Sequence, residues 1–148
     1  MARPVKDRYF LHLAEDVASR ATCKRRKVGC ILVDTYGHIL ATGYNGVGSG
    51  LPHCNEEAPC YEGDFPSGEA LEKCEAIHAE QNALLQCGDV MVIDTAYCTD
   101  SPCIHCMKLF LNTSVKRIVF ARRYDGHYDA ILALAEKKGI QLCHVITP

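Results

Sequence analysis

VKRIVFARRYDGHYDAILALAEKKGIQLCHVI, residues 115–146, decides the fold class. VKRIVFA (115–121) reads as a strand, DAILALAEKK (129–138) as a helix and IQLCHVI (140–146) as a further strand. Strand and helix in alternation predict parallel pairing, with helices on the faces of the sheet. Upstream, residues 77–87 read as a helix, 91–99 as a strand, and Pro102 suits the first turn of a helix running to about Asn112. VGCILVD (28–34) and HILATGY (38–44) form a hairpin across Thr35-Tyr36-Gly37. Phe10, Leu13, Ala14, Val17, Ala18 and Ala21 recur at three and four, which predicts an amphipathic helix over 4–21. The expected architecture is α/β: a three-layer α/β/α sandwich around a mixed five-stranded sheet, as one domain over 1–148. No repeat or linker divides the chain.

Residues 45–73 break the pattern. Gly46, Gly48, Gly50, Pro52, Pro59, Gly63, Pro66 and Gly68 leave no periodicity. A structureless stretch of this length in a compact domain is usually functional or clamped.

The bulk properties exclude several classes. With 48% hydrophobic and 23% charged residues the 148-residue chain is ordinary for a globular protein. A net charge of −2 and a pI near 6.4 argue against a nucleic-acid partner held by a global positive field. No apolar run reaches the roughly 20 residues of a membrane span. MARPVKDRYF lacks the apolar centre of a signal peptide, so a cytoplasmic protein is expected. Ten cysteines in a reducing compartment point to metal binding or catalysis rather than disulfides. Cys30, Cys98 and Cys143 sit in apolar runs and read as small buried hydrophobes.

The chemistry lies in IHAEQNALLQC (77–87) and TDSPCIHC (99–106). His78 and Glu80 are two apart, and such residues do not share a helix face. At the first turn of a helix, however, both can point past its end. Cys103 and Cys106 open the next helix, where the dipole and free N–H groups favour thiolate. Two thiolates and one imidazole give zinc three ligands, leaving the fourth tetrahedral position to water, as in catalytic sites. Glu80 is then worth more as a proton carrier than as a ligand. His105, between the cysteines, is read as a surface or supporting histidine pointing elsewhere. H-x-E followed by P-C-x-x-C is the signature of zinc-dependent nucleobase deaminases. Zinc lowers the pKa of its water from about 15.7 towards ~7; Glu80 hands that proton to the ring nitrogen, hydroxide attacks the amino-bearing carbon, and Glu80 returns a proton so that ammonia can leave.

Along almost its whole length the chain resembles the zinc-dependent cytidine/deoxycytidylate deaminase family, in its dCMP deaminase branch of phage and bacterial type. The matching blocks are SRATCKRRKVGCILV (19–33), ATGYNGVGSG (41–50), His53-Cys54, CEAIHAEQNAL (74–84), YCTDSPCIHCMKLF (97–110) and KRIVFARRYD (116–125). The resemblance implies a cytidine deaminase-like fold and conversion of dCMP to dUMP, the thymidylate precursor. It implies a homohexamer, activated by dCTP with magnesium and inhibited by dTTP. It places the zinc ligands at His78, Cys103 and Cys106, the proton shuttle at Glu80 and a sugar contact at Asn45. A nucleotide phosphate needs a cation, and Arg25 and Arg26 of the basic run are the candidates. Ala79 and Ser101 are expected beside the base, with Tyr124 stacked on it. Asn45, Gly46, Gly48 and Gly50 are expected near an effector nucleotide, although Gly48 stands where the family often has proline. Asp100 stands where the family commonly has histidine.

Cys23, Cys54, Cys60 and Cys74 are left for a closed structural zinc site, with His53 as a substitute ligand. Some phage members have a second zinc, and Cys23 and Cys54 fall at matching positions. The competing readings are a tRNA- or DNA-editing deaminase, a silent zinc module that only binds, and a free-nucleoside or riboflavin-pathway deaminase. The acidic balance, Glu80 and the basic run 24–27 argue against these in turn.

Overall fold

The computed structural model describes residues 2–23, 25–54, 74–124 and 126–146. These form a five-stranded mixed sheet of order β2-β1-β3-β4-β5. β1 (Gly29–Val33) pairs antiparallel with β2 (Ile39–Tyr44) and with β3 (Thr95–Asp100). β4 (Arg117–Arg122) lies parallel to β3, and β5 (Gln141–His144) parallel to β4. The expected βαβ unit is therefore present. The β1–β2 turn forms because Asp34 Oδ1 accepts from the N–H groups of both Tyr36 and His38 at 2.9 Å.

Alternation along the strands sorts the core into two layers. Ile31, Val33, Tyr97, Val119 and Ala121 face α1 (Lys6–Ala18), meeting Phe10, Leu11 and Ala14. Cys30, Leu32, Ala96, Cys98, Ile118 and Phe120 face the other way. There they pack among residues of α2 (Ala79–Gln86), α3 (Ile104–Phe110) and α4 (Tyr128–Lys138). The result is the predicted three-layer sandwich. Each large aliphatic or aromatic side chain taken fully out of water contributes about 1.5–3 kcal/mol. No helix of the described residues is long and apolar enough to cross a membrane.

Two glycines set the helix-to-sheet distance. A methyl at Gly29 would strike the carbonyl oxygen of Ala14, and one at Gly43 the backbone of Ala79 and Ala83. α1 therefore rests on the backbone of β1, and the first turn of α2 on that of β2.

Element ends differ from the sequence reading in identifiable ways. α1 stops at Ala18 because Ser19, Arg20 and Ala21 make tighter bonds to residues three back, and Ser19 Oγ donates to the Asp16 carbonyl. β3 begins at Thr95, since Asp89 accepts from the Met91 N–H and winds Val90–Val92 into a 3-10 turn. Pro102 precedes the α3 N-cap, which is Cys103. Cys143 is half-buried, whereas Cys30 and Cys98 are fully enclosed. Residues 55–73, and with them most of the irregular stretch, lie outside the described residues.

Candidate active site

β3 and β4 run parallel and end, at Asp100 and Arg122, on one side of the sheet. Antiparallel β1 begins and β2 ends on that same side, since Gly29 pairs with Tyr44 and its N–H donates to Thr99 Oγ1. Segments 25–28, 44–46, 100–103 and 122–124 therefore converge at one end of the sheet. Clefts at the carboxyl ends of parallel strands are the usual ligand sites of such sheets.

His78 is the N-cap of α2 and Cys103 the N-cap of α3, both with extended backbone. A side chain at a cap points beyond the helix rather than across it, which resolves the spacing of His78 and Glu80. The His78 N–H donates to Gln81 Oε1 at 2.9 Å, fixing the turn. Upstream, Gly46 and Ile77 exchange backbone hydrogen bonds of 3.1 and 2.7 Å, and Asn82 Nδ2 donates to the Tyr44 carbonyl at 2.8 Å. The GYNG and HAEQN blocks thus hold each other in place.

His78 Nδ1 lies 3.4 Å from both Cys103 Sγ and Cys106 Sγ. Among the described residues these three are the one group of potential ligands whose donor atoms all gather within 4.8 Å. Zinc bonds of about 2.0–2.1 Å to nitrogen and 2.3 Å to sulfur put tetrahedral N and S donors about 3.6 Å apart, so the triangle fits that ion. The protonation of the two thiols supports the same ligand set. Hydrogen bonding with Cys106, and then with His78, pulls the Cys103 thiol down to about 3 against the effect of burial. Cys106, its partner in that hydrogen bond, is pushed up. A dication bound there would take the place of the shared proton and leave both sulfurs anionic.

Glu80, one residue into α2, is only 4% exposed. Burial pushes its carboxyl up to about 7, against the hydrogen bond with Cys106, and the Cys103 charge adds to the rise. An acid poised near neutrality beside a metal triangle can both accept and return a proton.

His78, Cys103 and Glu80 line one cleft of about 480 Å³, a size ordinary for small-molecule sites, with Cys106 buried behind them. Arg25, Arg26, Asn45, Ala79, Ser101 and Tyr124 line it as well. Asn45 Oδ1 accepts from the Val28 N–H and its Nδ2 donates to the Arg26 carbonyl, both at 2.8 Å. It therefore pins the basic segment. Ser101 Oγ accepts from the Tyr124 N–H at 2.7 Å. The Arg26 guanidinium lies over one face of the Tyr124 ring, 4.4 Å from its centroid. His105 is exposed, lines the cleft and stands outside the ligand group. Gly46, Gly48 and Gly50 do not line it.

Of the four cysteines assigned to a second metal, Cys23 and Cys54 are buried, Cys23 and Cys74 line the cleft, and Cys60 lies outside the described residues. Cys23, Cys54 and Cys74 do not gather into a ligand group. His53 Nδ1 lies 3.4 Å from Thr22 Oγ1. The sequence reading gave no role to Asp100 and missed His127, both of which line the cleft. Asp100 carries a visible signal, an acid inside the TDSPCIHC block; His127, in left-handed backbone at φ 61°, carries none.

Comparison with known proteins agrees with this geometry. The family model of the cytidine and deoxycytidylate deaminase zinc-binding region matches residues 4–122. The deoxycytidylate deaminase of Schizosaccharomyces pombe is 37% identical over 151 residues, covering 99% of this chain and 46% of its own length. That of Mycobacterium phage D29 is 36% identical over 129 residues, covering 82% of this chain and 98% of its own. The chain spans less than half the length of the fission and baker's yeast relatives, 46% and 40%. The dCMP deaminase of cyanophage S-TIM5, solved in complex with dCMP and dUMP, superposes with a TM-score of 0.75 at 28% identity, covering 98% of this chain and 100% of the other. With the ligand triangle, the buried glutamate and these matches together, the chain belongs to the cytidine and deoxycytidylate deaminase family.

Proposed function

We propose that the protein hydrolyses dCMP to dUMP and ammonia. The observation that carries the reading is the buried Glu80 beside the His78, Cys103 and Cys106 triangle, at one end of a cleft that also presents Arg25 and Arg26. The substrate follows the relatives named as deoxycytidylate deaminases and the phage enzyme solved with dCMP and dUMP.

His78, Cys103 and Cys106 would hold the zinc, which when bound would supply a Lewis acid able to bring the pKa of a water molecule to ~7. Glu80 accepts that water's proton and delivers it to the ring nitrogen beside the amino-bearing carbon, which makes the carbon electrophilic. The water's oxygen bonds to that carbon, and the carboxylate takes the second proton from this oxygen and passes it to the amino group, so that the C–N bond breaks, the carbonyl forms and ammonia departs. Enclosure of Glu80 keeps its proton from exchanging freely with solvent. Ala79 and Ser101 flank the base. Asn45 retains a second amide hydrogen and a second carbonyl lone pair beyond its bonds to Arg26 and Val28, and these serve the sugar. Arg25 and Arg26 receive the phosphate.

The proposal extends to a homohexamer supplying a thymidylate precursor in the cytoplasm, activated by dCTP with magnesium and inhibited by dTTP. Its support is the GYNG block and the family's habit. A second zinc on Cys23, Cys54, Cys60 and Cys74 is part of the same proposal, supported by the burial of Cys23 and Cys54. The test is loss of ultraviolet absorbance with dCMP, CMP, deoxycytidine and cytidine, each with and without dCTP or dTTP. dCMP should react far faster than deoxycytidine. Equal rates would remove the phosphate contact, and no turnover of dCMP by zinc-loaded protein would remove the reaction.

A further inference from the structure

Asp100 ends β3, is 8% exposed and lines the cleft three residues before Cys103. A buried carboxylate persists only where cations or donors compensate its lost hydration. Asp100 has two guanidinium partners. Arg122 Nε donates to Oδ1 at 2.8 Å, and Arg26 Nη1 faces Oδ2 at 3.6 Å. Arg122 is itself tethered to Glu15 of α1 at 2.7 Å, so one oxygen of Asp100 is locked and the other is presented to Arg26.

Arg26 is held from three directions. Asp100 faces one edge of its guanidinium, the Tyr124 ring lies beneath at 4.4 Å, and its own carbonyl is gripped by Asn45. Tyr124 is in turn fixed by its backbone bond to Ser101. The Arg26 side chain nevertheless keeps 38% of its exposure. A separation of 3.6 Å is an ion pair but too long for a strong hydrogen bond, so the N–H fork is oriented without being consumed.

We propose that Asp100 is a positioning residue for recognition of the nucleotide 5′-phosphate. It sets the plane of Arg26 on Tyr124 so that the remaining N–H donors meet a phosphate in bidentate fashion. This rests on the nucleotide reading above and names what fixes the phosphate ligand. A planar fork confers affinity only when its orientation is set beforehand.

The test is calorimetric titration of the zinc-loaded full chain with dUMP and with deoxyuridine. Wild type, Asp100→Asn, Arg26→Gln and the double variant are compared. Asp100→Asn is expected to weaken dUMP about tenfold, to leave deoxyuridine unchanged and to add nothing in the Arg26→Gln background. The inference is overturned if Asp100→Asn tightens dUMP, since Asp100 then competes with the phosphate. Equal weakening of both ligands, a loss that adds to Arg26→Gln, or a wild type with no preference for dUMP would also overturn it. A wild type that shows the expected binding pattern yet does not turn over dCMP sinks the proposed reaction and leaves this inference standing.

Discussion

Two acids on opposite faces of the sheet have opposite fates. Asp7, on α1, is only partly buried, and burial alone would raise its pKa. The hydrogen bonds from Arg117 at 2.8 Å and from the Tyr97 hydroxyl at 2.8 Å outweigh that and hold the carboxyl below its usual value. Glu80, on α2, is enclosed, and among the described residues no salt bridge reaches it; burial carries it up to about 7. A carboxylate given a cation is spent on holding helix to sheet. One left by its helix without a guanidinium or ammonium partner, and buried, remains able to exchange a proton.

The sharpest way to break this contrast is Glu80→Gln. The amide keeps the shape and the three ligands but cannot carry a proton. Turnover of dCMP should fall roughly 10³-fold or more while zinc content by atomic absorption stays that of wild type. An active, zinc-loaded Glu80→Gln protein would end the proton-shuttle role.

A second test moves the acid rather than removing it. Gly43→Ala pushes a methyl into the backbone of Ala79 and Ala83, where α2 rests on β2. Denaturant unfolding should show a loss of about 1–3 kcal/mol, with a fall in turnover because the first turn of α2 shifts. An unchanged midpoint would mean that the contact does not set the helix position.

The smallest effect belongs to Asp7→Asn, which should cost on the order of 1 kcal/mol at neutral pH and leave turnover alone. Its folded pKa lies below the ordinary 3.8, so its contribution is present above about pH 4 and is lost as pH falls through the depressed value. The variant should therefore lose less stability than wild type between pH 5 and pH 2, measured by urea midpoints. Equal acid slopes for the two proteins would remove Asp7 from the account.

The metal end of the cleft was legible because its residues lie in two short blocks whose spacing is local. Two helix caps suffice to place His78, Glu80, Cys103 and Cys106. The sheet was legible for the same reason: apolar runs and strand–helix alternation are near-neighbour patterns. The opposite end of the cleft was less so. Arg26, Asp100 and Tyr124 meet only after four segments converge, so the stacking of Arg26 on Tyr124 left no trace in the spacing. The start of β3 was misread because Val90, Met91 and Val92 are apolar enough for a strand, while one Asp89 side-chain bond winds them into a turn.

The Gly46–Ile77 bridge has a consequence for how such a protein can change. Its paired bonds fasten the two ends of the stretch 47–76 at one point beside His78. His78 therefore enters α2 from a point tied to the end of β2 by backbone bonds, which no side-chain substitution removes.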